Sequence, residues 1–410
     1  MKILHTADIH IGYTTHGKLD QQAGLNTRLL DFQKSFDFLV QTALDEKIDA
    51  LLFCGDAYRD ATPSPTEQQI FARCLKPILE ANIPVVMVVG NHDHPFAHGR
   101  ANALQIFQEL AAQVVVIDKL EVQLVETKSG LLRIVGLPWP VRTNLFAKEA
   151  YAAFSPEELK SKIHEFYLEF ILEQADALRE QPDEIPSILA GHLHIDTAMM
   201  SKSERITLLA KDPMFSVGAL AHKEFDYIAL GHIHKFQDLN PGNQPPVVYS
   251  GSIERISFNE CDEEKGFVMV TIDDAKRVSY ARVLTPARPF VSFDIDVTLK
   301  SPEPMAFILA EIAKKNIADA IVRVRILCSI DQKSEIDIST IKEALQEAFL
   351  VSEVSVEVNE KPKRLRNPDL SKTMTAAEAL EIYVEQNAQF KPIKEKVLKI
   401  AAELESGLFG

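Results

Sequence analysis

Five short apolar segments of this 410-residue sequence each stop at residues that can bind a metal ion or transfer a proton. Such β-branched runs are typical of buried parallel strands, whose carboxyl ends commonly carry the functional side chains. We therefore predict one site where these strand ends meet, along one edge of a single sheet. The groups at the five ends are Ala7-Asp8-Ile9-His10, Gly55-Asp56, Gly90-Asn91-His92-Asp93, Gly191-His192-Leu193-His194 and Gly231-His232-Ile233-His234.

The predicted cluster combines carboxylate and amide oxygens with four or more imidazoles. Such mixed ligation suits manganese, iron or zinc better than magnesium or calcium, which prefer oxygen alone. More than six ligands are too many for one ion, so two ions are implied, and the need for His194 stays open. Two neighbouring ions can clamp the attacking and leaving oxygens of a phosphoryl displacement. The pattern therefore predicts phosphoester hydrolysis.

Some members of this pattern have a simpler structural interpretation. In an extended segment, Asp8 and His10 would point to the same side and could reach one ion, whereas a loop carboxylate could also cap the next helix. His5, inside the first strand, is predicted to be a packed core residue. His94 and His98 are predicted to lie on the surface.

The segments between the strand ends predict the scaffold. A polar loop over 12–26 is predicted to lie above the site, and Arg59, in the loop after Asp56, either contacts a phosphate or is solvated. Apolar residues at helical spacing predict helices that cover the sheet. These helices are predicted at 27–46, 66–81, 102–111 and 156–179. Antiparallel strands are predicted at 114–117, 121–125, 131–135, 267–272 and 278–283.

Composition shifts divide the chain into a large N-terminal domain at 1–285, a small α+β domain at 290–360, a basic linker at 361–372 and a helical tail at 373–410. Pro286 and Pro289 mark the first boundary, and Lys361-Pro362-Lys363-Arg364 opens the linker. The two short amphipathic helices of the tail cannot bury their apolar stripes alone. Packing on the parent domain and docking on a partner both stay open.

The totals exclude several classes of protein. No apolar run approaches the roughly 18 residues of a membrane span, and no signal-peptide pattern opens the chain, so a cytoplasmic protein is predicted. Cys54, Cys74, Cys261 and Cys328 are widely scattered, which argues against disulfides and a zinc site. The formal net charge of −15 implies that any nucleic acid must be gripped through local basic patches, bound cations or a partner.

The ordered series from Asp8 to His234 resembles the calcineurin-like metallophosphoesterase superfamily. The resemblance implies an α/β fold, namely a two-sheet sandwich flanked by helices, with a small α+β cap domain and a helical C-terminal tail. It also implies two Mn²⁺ ions, with Mg²⁺, Fe²⁺ or Zn²⁺ as alternatives, and a proton-donating or charge-stabilising role for His92. The implied ligands are Asp8, His10 and His234 for one ion, Asn91, His192 and His232 for the other, and Asp56 bridging both.

Within the superfamily, the opening residues and the turn at 249–255 resemble the bacterial nuclease branch. This implies an exonuclease and endonuclease that cuts duplex DNA ends and hairpins in DNA repair, with the small domain orienting the DNA. It further implies that 373–410 docks on a coiled-coil ATPase and that two copies associate as a homodimer. The alternatives are a stand-alone metallophosphatase acting on nucleotides or phosphoproteins, and a non-catalytic subunit whose metals only stabilise the fold.

Overall fold

The first sheet is formed by four parallel strands from the N-terminal part of the chain and a later hairpin. The computed structural model describes residues 1–95, 100–140, 154–201, 213–298, 303–359, 380–384 and 394–400. The six strands are β1 (Lys2–Thr6), β2 (Ala50–Phe53), β3 (Val85–Val88), β4 (Val114–Ile117), β13 (Gly266–Ile272) and β14 (Val278–Leu284). Their order is β14-β13-β1-β2-β3-β4, with β13 antiparallel to both β1 and β14.

Three helices, α1 (Thr27–Asp45), α2 (Pro65–Glu80) and α3 (Gln105–Leu110), connect these strands. α1 begins after Asn26, whose side chain accepts the Arg28 N–H, and α2 begins with a capping box of Ser64 and Glu67. The expectation that 114–117 is antiparallel was wrong. α3 carries the chain back to the starting end, so β4 pairs parallel to β3.

The second sheet has the order β11-β12-β10-β7-β6-β5. Its strands are β5 (Glu121–Thr127), β6 (Gly130–Leu137), β7 (Ser187–His192), β10 (Tyr227–Gly231), β11 (Gln237–Asp238) and β12 (Val247–Tyr249). The long helix α4 (Pro156–Glu180) buries Leu159, Ile163, Tyr167 and Ile171 in a core shared with this sheet. A short pair, β8 (His194–Ile195) and β9 (Met214–Phe215), and the helix α5 (Val217–Leu220) complete this layer.

The two sheets pack face to face, and one buried cluster contains residues of both, such as Leu52 and Val86 with Ile134 and Ala229. The two sheets approach each other closely at Gly231. A Cβ there would lie 1.9 Å from the carbonyl oxygen of Cys54, so only glycine fits. The functional strand ends therefore come from two sheets, and the prediction of a single sheet edge was wrong. The two-sheet α/β sandwich implied by the family resemblance is confirmed.

A third sheet consists of the parallel strands β15 (Phe290–Asp296), β16 (Ile321–Cys328) and β17 (Leu350–Val358). The helices α6 (Pro304–Ile312) and α7 (Ile338–Ala344) and a 3-10 helix at Gln332–Glu335 belong to the same segment. Its own core contains Phe293, Ile308, Val324 and Ile341. The predicted alternation of strands and helices is present, but the sheet is entirely parallel, so the segment is α/β rather than the expected α+β. Its boundaries at 290 and 360 stay predictions.

Little of the predicted tail can be described. Residues 380–384 and 394–400 are helical, and Lys394 forms an ion pair of 2.9 Å with Glu381. The linker at 361–372, the rest of 373–410 and His98 lie outside the described residues. All four cysteines are free, as predicted. Among the helices of the described ranges, none is long and apolar enough to cross a membrane.

Candidate metal centre

All five strand ends meet at one end of the sandwich. The ligand atoms of Asp8, His10 and His234 lie within 4.8 Å of one another. The same holds for Asp8, Asp56 and His192, and for His10, Asp56 and His92. Asp8 and His10 do not continue an extended strand as predicted, because their φ angles are 54° and 55°. This left-handed backbone turns the chain beneath the site, and both side chains still converge.

The first group of candidate ligands is Asp8, His10 and His234. The Nε2 atoms of the two imidazoles face each other at 3.0 Å. The Nδ1 of His234 lies 3.0 Å from Oε1 of Glu260, and an ionised carboxylate only accepts, so Nδ1 donates and Nε2 carries the lone pair. The His10 Nδ1 is buried and has no hydrogen-bond partner among the described residues. A divalent cation beside the two Nε2 atoms would be bound by both rings.

The second group is Asn91, His192 and His232. The His192 Nδ1–H donates to the backbone carbonyl of Cys54 at 2.7 Å, because a carbonyl only accepts, and in the neutral ring this leaves the lone pair on Nε2. That Nε2 lies 3.0 Å from Oδ1 of Asn91, and the His232 Nδ1 lies 3.2 Å from the same oxygen. Two imidazole nitrogens and one amide oxygen therefore converge on one point.

Asp56 lies between the two groups. Its Oδ2 is 3.6 Å from the His10 Nε2 and 3.4 Å from the His192 Nε2, while its Oδ1 accepts the backbone N–H of His92 at 2.8 Å. Burial alone would raise the pKa of this carboxyl, yet the nearby His192 and His92 hold it well below its usual range. Burial likewise opposes protonation of His192, but Asp56 raises its pKa to about 9. The carboxylate is therefore ionised and central, as a bridging ligand must be.

Asp93, which we grouped with Asn91 and His92 at the strand end, has a different place in the structure. Its carboxylate is fully buried and accepts the backbone N–H groups of Asp56 at 2.7 Å, Ala57 at 3.0 Å and Gly90 at 2.9 Å. It thus ties the loop after β2 to the loop after β3. His94, the next residue, is buried, so the prediction of a surface position was wrong.

His92 is oriented by the same loops. Its Nδ1 lies at hydrogen-bond distance from the carbonyl oxygen of Arg59, which makes Nδ1 the donor and leaves Nε2 for the site. Its ring centroid is 4.8 Å from that of His10. The Arg59 side chain is exposed, with its guanidinium 5.7 Å from the ring centre of Tyr13. The contribution of Arg59 to the site in this structure is therefore its backbone carbonyl.

Sequence reasoning missed two neighbours of the ligands. Glu260 is fully buried behind His234 and pairs with the buried Lys265 at 2.9 Å. Trp139 packs its ring 4.7 Å from the ring of His232. Neither residue stands in a strand-end motif, although Trp139 between two prolines was a visible signal for a fixed position. His5 is buried in the core as expected, with Nδ1 at 3.1 Å from the Tyr227 hydroxyl.

His194 stays apart from both groups of ligands. Its ring centroid is 5.9 Å from that of His232, and it belongs to none of the ligand clusters found among the described residues. The remaining site residues provide mixed nitrogen and oxygen donors, with lone pairs directed at two points on either side of Asp56. This donor set fits two divalent cations of the manganese, iron or zinc type.

Comparisons with known proteins agree with this geometry. A family model described as calcineurin-like phosphoesterase matches residues 1–236. The chain is 26% identical over 290 residues to SbcD, the nuclease SbcCD component of Escherichia coli (strain K12), covering 70% of this chain and 68% of that protein. It is 26% identical over 297 residues to SbcD of Bacillus subtilis (strain 168), covering 72% of each.

Among solved structures, a dimetal phosphatase from Danio rerio is 10% identical, covers 70% of this chain and 96% of its own, and has a TM-score of 0.40. The ordered strand-end motifs, the sandwich and the similarity to SbcD all agree with the family model, which spans more than half of the sequence. This chain therefore belongs to the calcineurin-like phosphoesterase family.

Proposed function

We propose that this protein is the metal-dependent nuclease subunit of an SbcCD-type complex. In this proposal it hydrolyses phosphodiester bonds at duplex DNA ends and hairpins in DNA repair, together with an SbcC-type ATPase. The observation that carries the proposal is the pair of ligand groups on either side of Asp56, with His92 beside them. The similarity to SbcD of the nuclease SbcCD supports DNA as the substrate.

The proposed cofactors are two Mn²⁺ ions, with Mg²⁺, Fe²⁺ or Zn²⁺ as possible replacements. Asp8, His10 and His234 would hold one ion and Asn91, His192 and His232 the other, with Asp56 shared between them. When bound, such a pair polarises a phosphodiester and stabilises the charge on its attacking and leaving oxygens.

His92 is the proposed catalytic residue. The hydrogen bond from its Nδ1 to the Arg59 carbonyl fixes the ring, and its Nε2 is the atom that would meet the leaving oxygen. For this role the ring must be doubly protonated, so that Nε2 carries a proton in addition to the one that Nδ1 donates to the Arg59 carbonyl. It can then give that proton to the leaving oxygen or donate a hydrogen bond to its developing charge. Trp139, packed on His232 and largely buried, shields one wall of the site from water.

We further propose three features of the assembly. The segment 290–360 orients the DNA, residues 373–410 dock on the coiled coil of the ATPase, and two copies form a homodimer in the cytoplasm. Exposed Ile106 and Leu110 on α3 would suit such a dimer contact. Because the chain carries a net charge of −15, we expect its binding to DNA without the ATPase to be weak and strongly salt-dependent.

The test is Mn²⁺-dependent cleavage of an end-labelled linear duplex and a hairpin, beside a generic aryl phosphodiester. The matched control is His92→Gln, which keeps a polar side chain near the Arg59 carbonyl but cannot transfer a proton. We expect end and hairpin cleavage by the wild-type protein and a loss of about 100-fold or more in the variant, with metal content and folding unchanged.

Other outcomes would favour the alternatives. Hydrolysis of the small ester alone would indicate a stand-alone metallophosphatase or phosphodiesterase. Full biological activity of His92→Gln would indicate a subunit whose metals are structural.

A further inference from the structure

A buried ion pair lies directly behind the candidate ligand His234. Glu260 and Lys265 both have side chains that are 0% exposed, and their charged atoms are 2.9 Å apart. One carboxylate oxygen of Glu260 faces the His234 Nδ1 at 3.0 Å, and the other accepts the backbone N–H of Ile256 at 3.1 Å. Lys265 also lies 3.0 Å from Glu263 and donates to the His234 carbonyl at 3.3 Å. Both the ring and the backbone of His234 are therefore held from behind.

Burying an ion pair so completely is expensive unless its partners are well placed. A carboxylate that accepts from the second nitrogen of a metal-binding imidazole fixes the tautomer, orients the ring and makes the ligating nitrogen more basic. Glu260 has the geometry for this task. His192, by contrast, depends on a backbone carbonyl, and His232 has no comparable carboxylate behind it among the described residues.

The segment that carries Glu260 also contacts the third sheet. Glu260 ends a short 3-10 helix, Phe258–Glu260, and Phe258 packs in a buried cluster with Phe290 and Ile321. The Phe258 ring lies 5.0 Å from that of Phe290 and 4.4 Å from the Arg323 guanidinium. One turn of helix therefore contacts a candidate metal ligand at one end and the 290–360 segment at the other.

We propose that Glu260, paired with Lys265, is a positioning residue for His234, and that the Phe258–Glu260 helix couples this ligand to the 290–360 segment. The inference rests on the proposed two-ion function. It implies that a displacement of the third sheet weakens one of the two metal sites, the one formed by Asp8, His10 and His234, and leaves the other intact.

The first experiment compares Mn²⁺ binding by wild-type protein, Glu260→Ala and Glu260→Gln, using calorimetry and electron paramagnetic resonance. We expect wild-type protein to bind two ions and show the spectrum of an exchange-coupled pair. Loss of the carboxylate behind a ligand should lower the affinity for one ion by about 10- to 100-fold, as for other residues that orient a metal ligand. Glu260→Ala should then show the six-line spectrum of a single ion, while Glu260→Gln, which keeps an acceptor oxygen, should recover part of the affinity.

Glu254→Gln is the matched control. Glu254 is equally buried in the preceding turn, but its partners are Arg28, the Ser35 hydroxyl and the backbone N–H groups of Arg255 and Arg288 rather than a ligand. This variant should lower the melting temperature and keep the paired spectrum. The inference is overturned if both Glu260 variants keep two ions with wild-type affinity, or if Glu254→Gln loses the same ion. A wild-type protein that never binds two ions overturns the proposed function as well.

The second experiment tests the coupling with Phe258→Ala and Phe349→Ala. Phe349 belongs to the same interface, under Arg288 at 3.7 Å, but lies outside the 3-10 helix. We expect Phe258→Ala to lower the affinity for the same single ion by about 3- to 10-fold, a smaller effect than direct loss of the carboxylate. Phe349→Ala should leave both affinities unchanged. Equal effects of the two variants on Mn²⁺ binding would contradict the coupling.

Discussion

The two sheets of the sandwich position their candidate metal ligands in different ways. Asp8, His10 and Asp56 follow strands of the first sheet in left-handed backbone conformations, and the loops after β2 and β3 are tied together by Asp93. On the second sheet, His232 also has a positive φ of 99°, but His192 and His234 are fixed singly, through the ring nitrogen that faces away from the site. The first half of the site therefore depends on backbone geometry, and the second depends mainly on individual hydrogen bonds.

The largest effect is expected from removing the Asp93 carboxylate, which ties together the loops of the first sheet. In Asp93→Ala, three buried backbone N–H groups lose their acceptor, and each such loss costs about 1 to 3 kcal/mol. We expect the free energy of unfolding of the metal-free protein to fall by about 4 kcal/mol in urea denaturation. Asp93→Asn, which keeps one oxygen acceptor, should lose less. A loss below about 1 kcal/mol for Asp93→Ala would show that these loops are held by other contacts.

The second largest effect on stability is expected at Gly231, where the two sheets contact each other. A methyl group at Gly231 would lie 1.9 Å from the Cys54 carbonyl oxygen and 2.7 Å from Cβ of Ala7. Gly231→Ala must push the sheets apart and should lower the free energy of unfolding by about 3 kcal/mol. Gly218→Ala is the control, because a methyl group there meets nothing within 4 Å. Equal stabilities of the two variants would show that the sheets can separate freely at this point.

The pH dependence of stability tests the contact between the sheets at His5, which lies against Tyr227 of the second sheet. Burial lowers the pKa of this histidine to about 3, so the folded protein stays unprotonated there while the unfolded chain takes up a proton near pH 6.5. Stability from His5 is therefore fully present above pH 6.5 and is lost as the pH falls, by about 2 kcal/mol between pH 6.5 and 5. We expect His5→Gln to show a shallower fall over this range in urea titrations. Parallel curves of stability against pH for the wild-type protein and His5→Gln would show that His5 is not the source of this pH dependence.

The smallest effect is expected on the second sheet, where His192 is held by a backbone group and His234 by a side chain. His192 donates to the backbone carbonyl of Cys54, which no side-chain substitution removes. Cys54→Ala should therefore cost about 1 kcal/mol of packing and change Mn²⁺ affinity by less than about threefold. This is far less than expected for Glu260→Ala, and a larger loss in the Cys54 variant would remove the distinction between backbone and side-chain support.

The same contrast explains how much could be predicted from the sequence. The candidate ligand positions were visible because each follows an apolar strand at a short, regular distance, and the helices at 27–46 and 66–81 matched within one residue at each end. The left-handed turns at Asp8 and His10 were not visible, since nothing in an Asp-x-His pair shows a positive φ. Glu260 and Lys265 were missed because their roles come only from tertiary packing. His94 was misplaced because its burial comes from tertiary packing, which the sequence of its loop does not show.

The central claim is that two divalent ions bind on either side of Asp56. The most direct test is an anomalous-difference map at the manganese edge from crystals grown with Mn²⁺. We predict two peaks about 3.5 to 4 Å apart, one among Asp8, His10 and His234 and one among Asn91, His192 and His232. A single peak, or peaks away from Asp56 at saturating Mn²⁺, would contradict it.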